Sequence, residues 1–448
     1  MDRNSWLRRG ILLLVAAPLV AVVASVLSSV VPDRLILDSL VGSVQRQEII
    51  NIPQVGVSGR GVDVFSDCIA LTMGLGDTDG GLATTWLRSP TLGSCDGAIE
   101  SIRIYEAGQG LSGGYEYFRY WHGYTVVSRP LVATIGVTGA RIVLFWAFIA
   151  AIAGFARRLW RFHGPVAPIA LLGPFLLTSD TVELARSLPH GVPALVAVGG
   201  AWAVHRAAAG RCPDDVPPPD RGSDDLRVAT VAFAAGATYV FVDVLTTPPG
   251  AWALLIAVAM LASARRFDGA RLASRGAIAG AAWIVGWVWT WVSKWAIAAA
   301  VLGYDRVRDS IGDAVDDRLG GEREYIDLAP FNAIRLNVET WFDHPLTPLV
   351  LAAIAVATGL TWRSAAHRSV WRSRLVIGLP ALLPLVWFEV LRNHSMVHVL
   401  FVYRSLGVSV GIIAVALLVG PRSLRADQAD ECVEPETRPS DGDLAGLR

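Results

Sequence analysis

Ten runs of apolar residues, each roughly 15 to 25 long and nearly free of charge, limit what this chain can become more than any other feature. About 20 helical residues cross a ~30 Å hydrocarbon layer. With 53% hydrophobic and 17% charged residues over 448 positions, the chain carries more apolar surface than a water-soluble fold of this size hides. The expected fold class is an all-α polytopic membrane protein of about ten transmembrane helices, with membrane lipid as its obvious partner. Net charge is zero and no basic tract follows a phosphate backbone, so nucleic acid is not an expected partner.

The runs cover 11–31, 139–156, 165–179, 188–205, 228–244, 249–264, 276–302, 346–362, 375–391 and 399–420. Arg3, Arg8 and Arg9 before the first resemble a signal peptide, but this run is long and ends at Pro32 and Asp33 without a small-residue cleavage site, so it reads as an uncleaved span. Arginines concentrate in alternate connections: Arg157, Arg158 and Arg161; Arg206, Arg211, Arg221 and Arg227; Arg265, Arg266, Arg271 and Arg275; Arg363, Arg368, Arg372 and Arg374. The positive-inside rule makes that side cytoplasmic, with both termini. Residues 1–420 then form a single transmembrane domain with two large outer loops, 32–138 and 303–345, and 421–448 form a disordered cytoplasmic tail rich in Asp, Glu and Pro. Cys68 and Cys95 fall in the first outer loop, where a disulfide between them is expected, while Cys212 and Cys432 fall in cytoplasmic segments. No internal repeat of the kind found in inverted-topology transporters is visible.

Polar residues gather at the outer ends of the spans. If helical, Asp63 and Asp67 share a face while Val64, Cys68 and Leu71 form an apolar stripe, as on a membrane-surface helix; solvated loop acids are the alternative. Tyr115 to Tyr124, with Ser128, Arg129 and Pro130, reads as part of an interfacial helix over 116–134. Its aromatics make a belt, while Arg119, His122 and Arg129 are placed to reach a lipid phosphate. Asp180, Glu183, Arg186 and His190 form either a structural ion pair or part of a site. Lys294, the one lysine of the chain, either snorkels or binds a phosphate. His394 and His398 stand four residues apart without an HExxH motif, which favours phosphate or sugar contact over a zinc hydrolase. Arg404 lies within an apolar run, where an unpaired charge is costly. Asp77, Thr78 and Asp79 could hold a divalent metal, although Gly76 and Gly80 suggest a turn.

This order of elements resembles the GT-C superfamily of membrane glycosyltransferases, which use sugars carried on polyprenyl or dolichyl phosphate. The strings YFRYWHGY (117–124), RSLPHG (186–191) and NHSMVHVLFVYR (393–404) also resemble those of bacterial membrane proteins near that superfamily. The resemblance implies an inverting glycosyltransferase of the cytoplasmic membrane, acting on its outer side. It would move a sugar from a polyprenyl-phosphate donor to a cell-envelope glycan or glycolipid; a composition biased to Arg, Ala and Val over Lys and Ile suggests a high-GC bacterium, with decaprenyl-phosphate arabinose or mannose as candidate donors. A carboxylate base takes the acceptor proton and cations stabilise the departing phosphate. Asp67 is the expected base with Asp63 second, although position alone would favour Asp33 or Asp38. Lys294, Arg404, His398, His394 and Arg119 are the expected lipid-phosphate contacts, and Tyr120, Trp121, His122, Asp180 and Glu183 the expected sugar contacts. A transporter or flippase of lipid-linked sugars and an envelope polysaccharide polymerase are the alternatives.

Overall fold

A computed structural model describes residues 3–49, 64–76, 82–111, 114–209, 221–264, 266–267, 269–315, 329–362 and 368–419. Asp63, Asp77, Asp79, Cys212, Cys432 and the tail beyond 419 lie outside the described residues. The fold is helical, opening with α1 (Arg3–Ser29). Within it, Pro18 has no N–H to give the Leu14 carbonyl, and the Trp289 indole donates to that oxygen instead, at 2.7 Å.

The first long connection contributes α2 (Asp33–Gln45), α3 (Val64–Thr72), α4 (Leu82–Arg88), α5 (Cys95–Glu106) and a two-stranded ribbon. In the ribbon β1 (Pro90–Thr91) pairs antiparallel with β2 (Tyr115–Glu116). Ile36, Leu40, Cys68, Leu75, Ala98 and Ile102 pack in one core with Val137, Leu144, Leu188 and Val192 of the helices that follow. Cys68 and Cys95 are joined by a disulfide that ties α3 to α5, with Cα atoms 5.1 Å apart. The interfacial helix expected over 116–134 exists only from Thr125, because residues 117–124 run as an irregular loop packed into the protein. From there α6 (Thr125–His163) continues, broken at Gly136, whose φ of 75° divides a short leading helix from the long one.

The bundle continues with α7 (Val166–Thr178), α8 (Thr181–Arg186), α9 (Leu188–Ala209), α10 (Arg221–Val242), α11 (Pro248–Ser263) and α12 (Gly269–Leu302). At the crossing of α10 and α12 a Cβ on Gly286 would fall 2.2 Å from the Phe233 carbonyl, so only glycine allows the two backbones this close. The second long connection holds α13 (Tyr304–Val315) and α14 (Asn332–Phe342) before α15 (Thr347–Trp362). The chain then runs through α16 (Arg368–Gly378), a 3-10 turn, α17 (Leu383–Val390), α18 (Arg392–Val397), α19 (Val399–Val402) and α20 (Ser405–Leu418).

Among the described residues, 7 helical stretches are long and apolar enough to cross a membrane, or 8 if α14 and α15, bent by 91°, count together. The chain is thus an all-α polytopic membrane protein. The stretches expected at 165–179 and 249–264 are the shorter apolar helices Val166–Thr178 and Pro248–Ser263. Almost all of α11 is buried, so protein rather than lipid surrounds it and its length is not tied to bilayer thickness.

Candidate functional site

Asp67 lies on α3, but the helix is not a surface helix, since Asp67 through Met73 are all buried. Asp67 Oδ1 accepts hydrogen bonds from the Ser187 hydroxyl at 2.8 Å and the Leu188 N–H at 3.1 Å. Its Oδ2 accepts from Arg141 Nη2 at 3.0 Å. Leu188 opens α9, so the carboxylate caps from outside a helix terminus whose first N–H groups have no internal partner. This corrects the reading of Asp67 as an open base on an amphipathic helix. Four-residue spacing brought out the apolar stripe but not the inward face, because Arg141 and Ser187 are distant in sequence.

Lys294 has a matching role with opposite sign. Its ammonium is fully buried and donates to the carbonyls of Leu87 at 3.1 Å and Trp86 at 3.3 Å, in the last turn of α4. The stacked rings of Trp86 and Trp121 stand beside it, each 5.3 Å from Nζ. Lys294 therefore pins the first long loop to α12 and does not project toward a phosphate, which corrects that expectation.

Segment 117–124 packs around the same place. The indoles of Trp291 and Trp295 donate to the Arg119 carbonyl at 3.3 and 2.9 Å, and Trp121 donates to the Thr290 carbonyl at 2.7 Å. Tyr120, Trp121 and His122 are buried among these groups, so as sugar platforms they are inaccessible, a third correction. His122 Nε2 lies 2.7 Å from the Tyr117 carbonyl, which can only accept, so that nitrogen carries the proton and Nδ1 faces the Tyr124 hydroxyl at 3.3 Å. Burial pushes the His122 pKa down to about 3, leaving the ring neutral. The Arg119 guanidinium is half-buried, 6.0 Å from the Tyr117 ring centre.

The remaining two clusters meet. Asp180, at the N-cap of α8 in a left-handed conformation (φ 44°, ψ 49°), accepts a hydrogen bond from the Tyr403 hydroxyl at 2.5 Å. Its other oxygen lies 3.6 Å from His344 Nε2. Both Asp180 and His344 keep some side-chain exposure, 17% and 10%, unlike Asp67 at 5%. Glu183 is half-buried on the next turn of α8. The Ser179 hydroxyl donates to the Arg404 carbonyl at 3.3 Å. The His190 ring packs 4.8 Å from Phe401, which also stacks with His398; His398 in turn packs 4.7 Å from His394. His394 donates to the Leu245 carbonyl at 2.9 Å, so it holds the turn between α10 and α11.

Arg404 stands at the N-cap of α20, 2% exposed, beside the Tyr403 hydroxyl. Its Nε and Nη1, and the Ser405 hydroxyl, have no hydrogen-bond partner among the described residues. The residue borders a narrow cavity of about 50 Å³ walled by Phe148, Leu171, Phe175, Val198 and Leu254. Among the described residues no group of three or more His, Cys, Asp or Glu is arranged to hold a metal ion.

Two residues of this region escaped the sequence reading. His344 follows Asp343 in a loop without apolar periodicity, while Asp243 was a visible signal, a carboxylate inside an apolar run. Asp243 is buried and accepts from the backbone N–H of Thr246 at 3.0 Å, forming the turn before α11. Compared with known proteins, the chain matches no family model, no curated protein and no solved structure.

Proposed function

We propose that this protein is an inverting membrane glycosyltransferase with ten spans and both termini in the cytoplasm. On the outer side it transfers a sugar from a polyprenyl-phosphate donor to an envelope glycan or glycolipid. The observation that carries the reading is Arg404. A permanently charged guanidinium with two nitrogens unpartnered among the described residues, buried beside apolar walls, is costly until an anion completes it. The phosphate of a lipid is an anion whose tail tolerates such walls.

The base moves from Asp67 to Asp180, which stands beside Arg404 through Tyr403 and keeps access to solvent. The acceptor hydroxyl oxygen bonds to the anomeric carbon while the bond from that carbon to the phosphate oxygen breaks. Polyprenyl phosphate leaves with the electron pair, held by Arg404, and the hydroxyl proton passes to Asp180. Tyr403 orients the carboxylate by donating to one oxygen, leaving the other toward His344. With the full-length protein in nanodiscs, Asp180→Asn lowers transfer by about two orders of magnitude and leaves donor binding intact. Arg404→Ala weakens donor binding at least about tenfold, the scale of a lost charge-assisted hydrogen bond. Donor binding unchanged in Arg404→Ala overturns the assignment.

A second reading, a flippase of lipid-linked sugars, draws on the same cavity, which runs from Arg404 toward the mid-helix residues Ile152, Leu171 and Val198. Proteoliposomes separate the two, since a flippase moves labelled donor between leaflets without consuming it.

A further inference from the structure

A polar cavity lies away from Arg404, on the first long loop, and the reaction proposed above does not use it. It holds about 470 Å³ between one face of α2 and the end of α5. Arg34, Asp38 and Val41 line it from α2, and Tyr105, Glu106 and Gln109 from the other side. Gly108, with φ 77°, reverses the chain after α5, and this turn brings Gln109 back over the opening.

The groups in it are largely exposed and meet one another across the opening. Tyr105 donates to Asp38 Oδ1 at 3.2 Å, and Arg34 Nε stands 3.8 Å from the other oxygen. Gln45 Nε2 donates to Glu106 Oε1 at 2.6 Å. Each carboxylate keeps acceptor capacity toward the cavity, since an ionised carboxylate takes about four hydrogen bonds. Arg34 and Gln109 bring donors, Val41 forms an apolar floor, and Tyr105 adds an aromatic ring.

We infer that this groove binds a neutral saccharide chain. Two carboxylates discourage a phosphate, and the guanidinium beside Asp38 discourages a bare cation. Sugar hydroxyls each donate and accept, so they suit a site that mixes both, and the C–H face of a sugar ring suits Val41 and Tyr105. The volume lies within the ~300–1,000 Å³ usual for small-ligand sites. That the saccharide is the acceptor glycan rests on the glycosyltransferase reading. α2 begins within four residues of the end of α1, so a bound chain would lie near the end of the first apolar helix.

Saturation-transfer NMR on the full-length protein in nanodiscs, with maltotriose, mannotriose and galactotriose as probes, tests the site. At least one trisaccharide should receive saturation, and Tyr105→Ala and Asp38→Asn should each weaken its binding at least about fivefold, as expected when a packed or hydrogen-bonded contact is lost. Arg404→Ala should bind the trisaccharide as wild type does, so failure of the lipid-phosphate reading leaves this result standing. Saturation of none of the three probes, or binding indifferent to both groove variants, overturns the inference. So does calcium binding that Asp38→Asn abolishes, which would make the groove a cation site.

Discussion

Replacing Asp67 separates a structural carboxylate from a catalytic one. Asp67→Ala removes three hydrogen bonds at once, those from Ser187, Leu188 and Arg141. Removing one partner of a buried ion pair costs about 3–5 kcal/mol. Arg141 is 26% exposed and still donates to the Glu48 carbonyl at 3.2 Å, so the lower end, about 3 kcal/mol, applies. Asp67→Asn keeps an oxygen for Ser187 and Leu188 and loses the charge facing Arg141, which costs about 1–2 kcal/mol. Thermal unfolding of purified protein in one detergent should therefore rank wild type above Asn above Ala. Transfer measured well below the Asn variant's melting point should remain within severalfold of wild type. If Asp67→Asn melts with wild type yet loses transfer by two orders of magnitude or so, the capping argument is wrong and Asp67 is the base.

Lys294→Met keeps the length of the side chain but leaves the Trp86 and Leu87 carbonyls without their donor, so the melting point should fall by the equivalent of about 1–3 kcal/mol; an unchanged or raised melting point would deny the tether. Trp289→Phe removes the donor to Leu14, and the loss of about 1 kcal/mol should vanish when Pro18 is replaced by Ala, which restores the internal helix bond. His122 has a pKa lowered from 6.5 to about 3, so the unfolded chain binds a proton that the folded one refuses. Its contribution to stability is complete above about pH 6.5 and declines as pH falls toward about 3. His122→Gln should flatten the stability profile in that window, and an unchanged acid slope would contradict the burial argument.

What could be read in the sequence followed from local pattern. Apolar runs declared the spanning helices because lipid demands them continuously along the chain. The helix carrying Asp67 and Cys68 was legible from a nine-residue stretch, and Cys68 and Cys95 are joined as expected. What was illegible depends on contacts between distant segments. Tyr120, Trp121 and His122 resemble an interfacial belt in composition, but the indole donors that hold their loop inside the protein belong to α12. Asp67 and Lys294 are unusual charges beside apolar segments, the signature of both a site and a cap, and only the positions of α9 and α4 decide between them. Asp180 stood among the candidates, but its neighbour His344 is more than 160 residues away and followed no periodicity.

The capping pattern recurs, and Arg404 departs from it. Asp67 meets the first N–H of α9, Lys294 meets the last carbonyls of α4, and Glu389 accepts from the N–H groups of Phe331 at 3.1 Å and Ile334 at 3.2 Å where α14 begins. Each buried or half-buried charge there offsets its desolvation by completing a helix end. Arg404 stands at a helix N-terminus, where the dipole repels a cation, and two of its nitrogens have no partner among the described residues. By stability alone the position favours an apolar side chain. Arg404→Met, which fills similar space without charge, should raise the melting point by the equivalent of about 1–4 kcal/mol, the range seen when buried charges give way to packed apolar residues. The same variant should lose binding of polyprenyl phosphate, a gain in stability set against a loss of function. A melting point that falls by several degrees would show that Arg404 is paired in the unliganded protein, and the case for an anion at that place would fail with it.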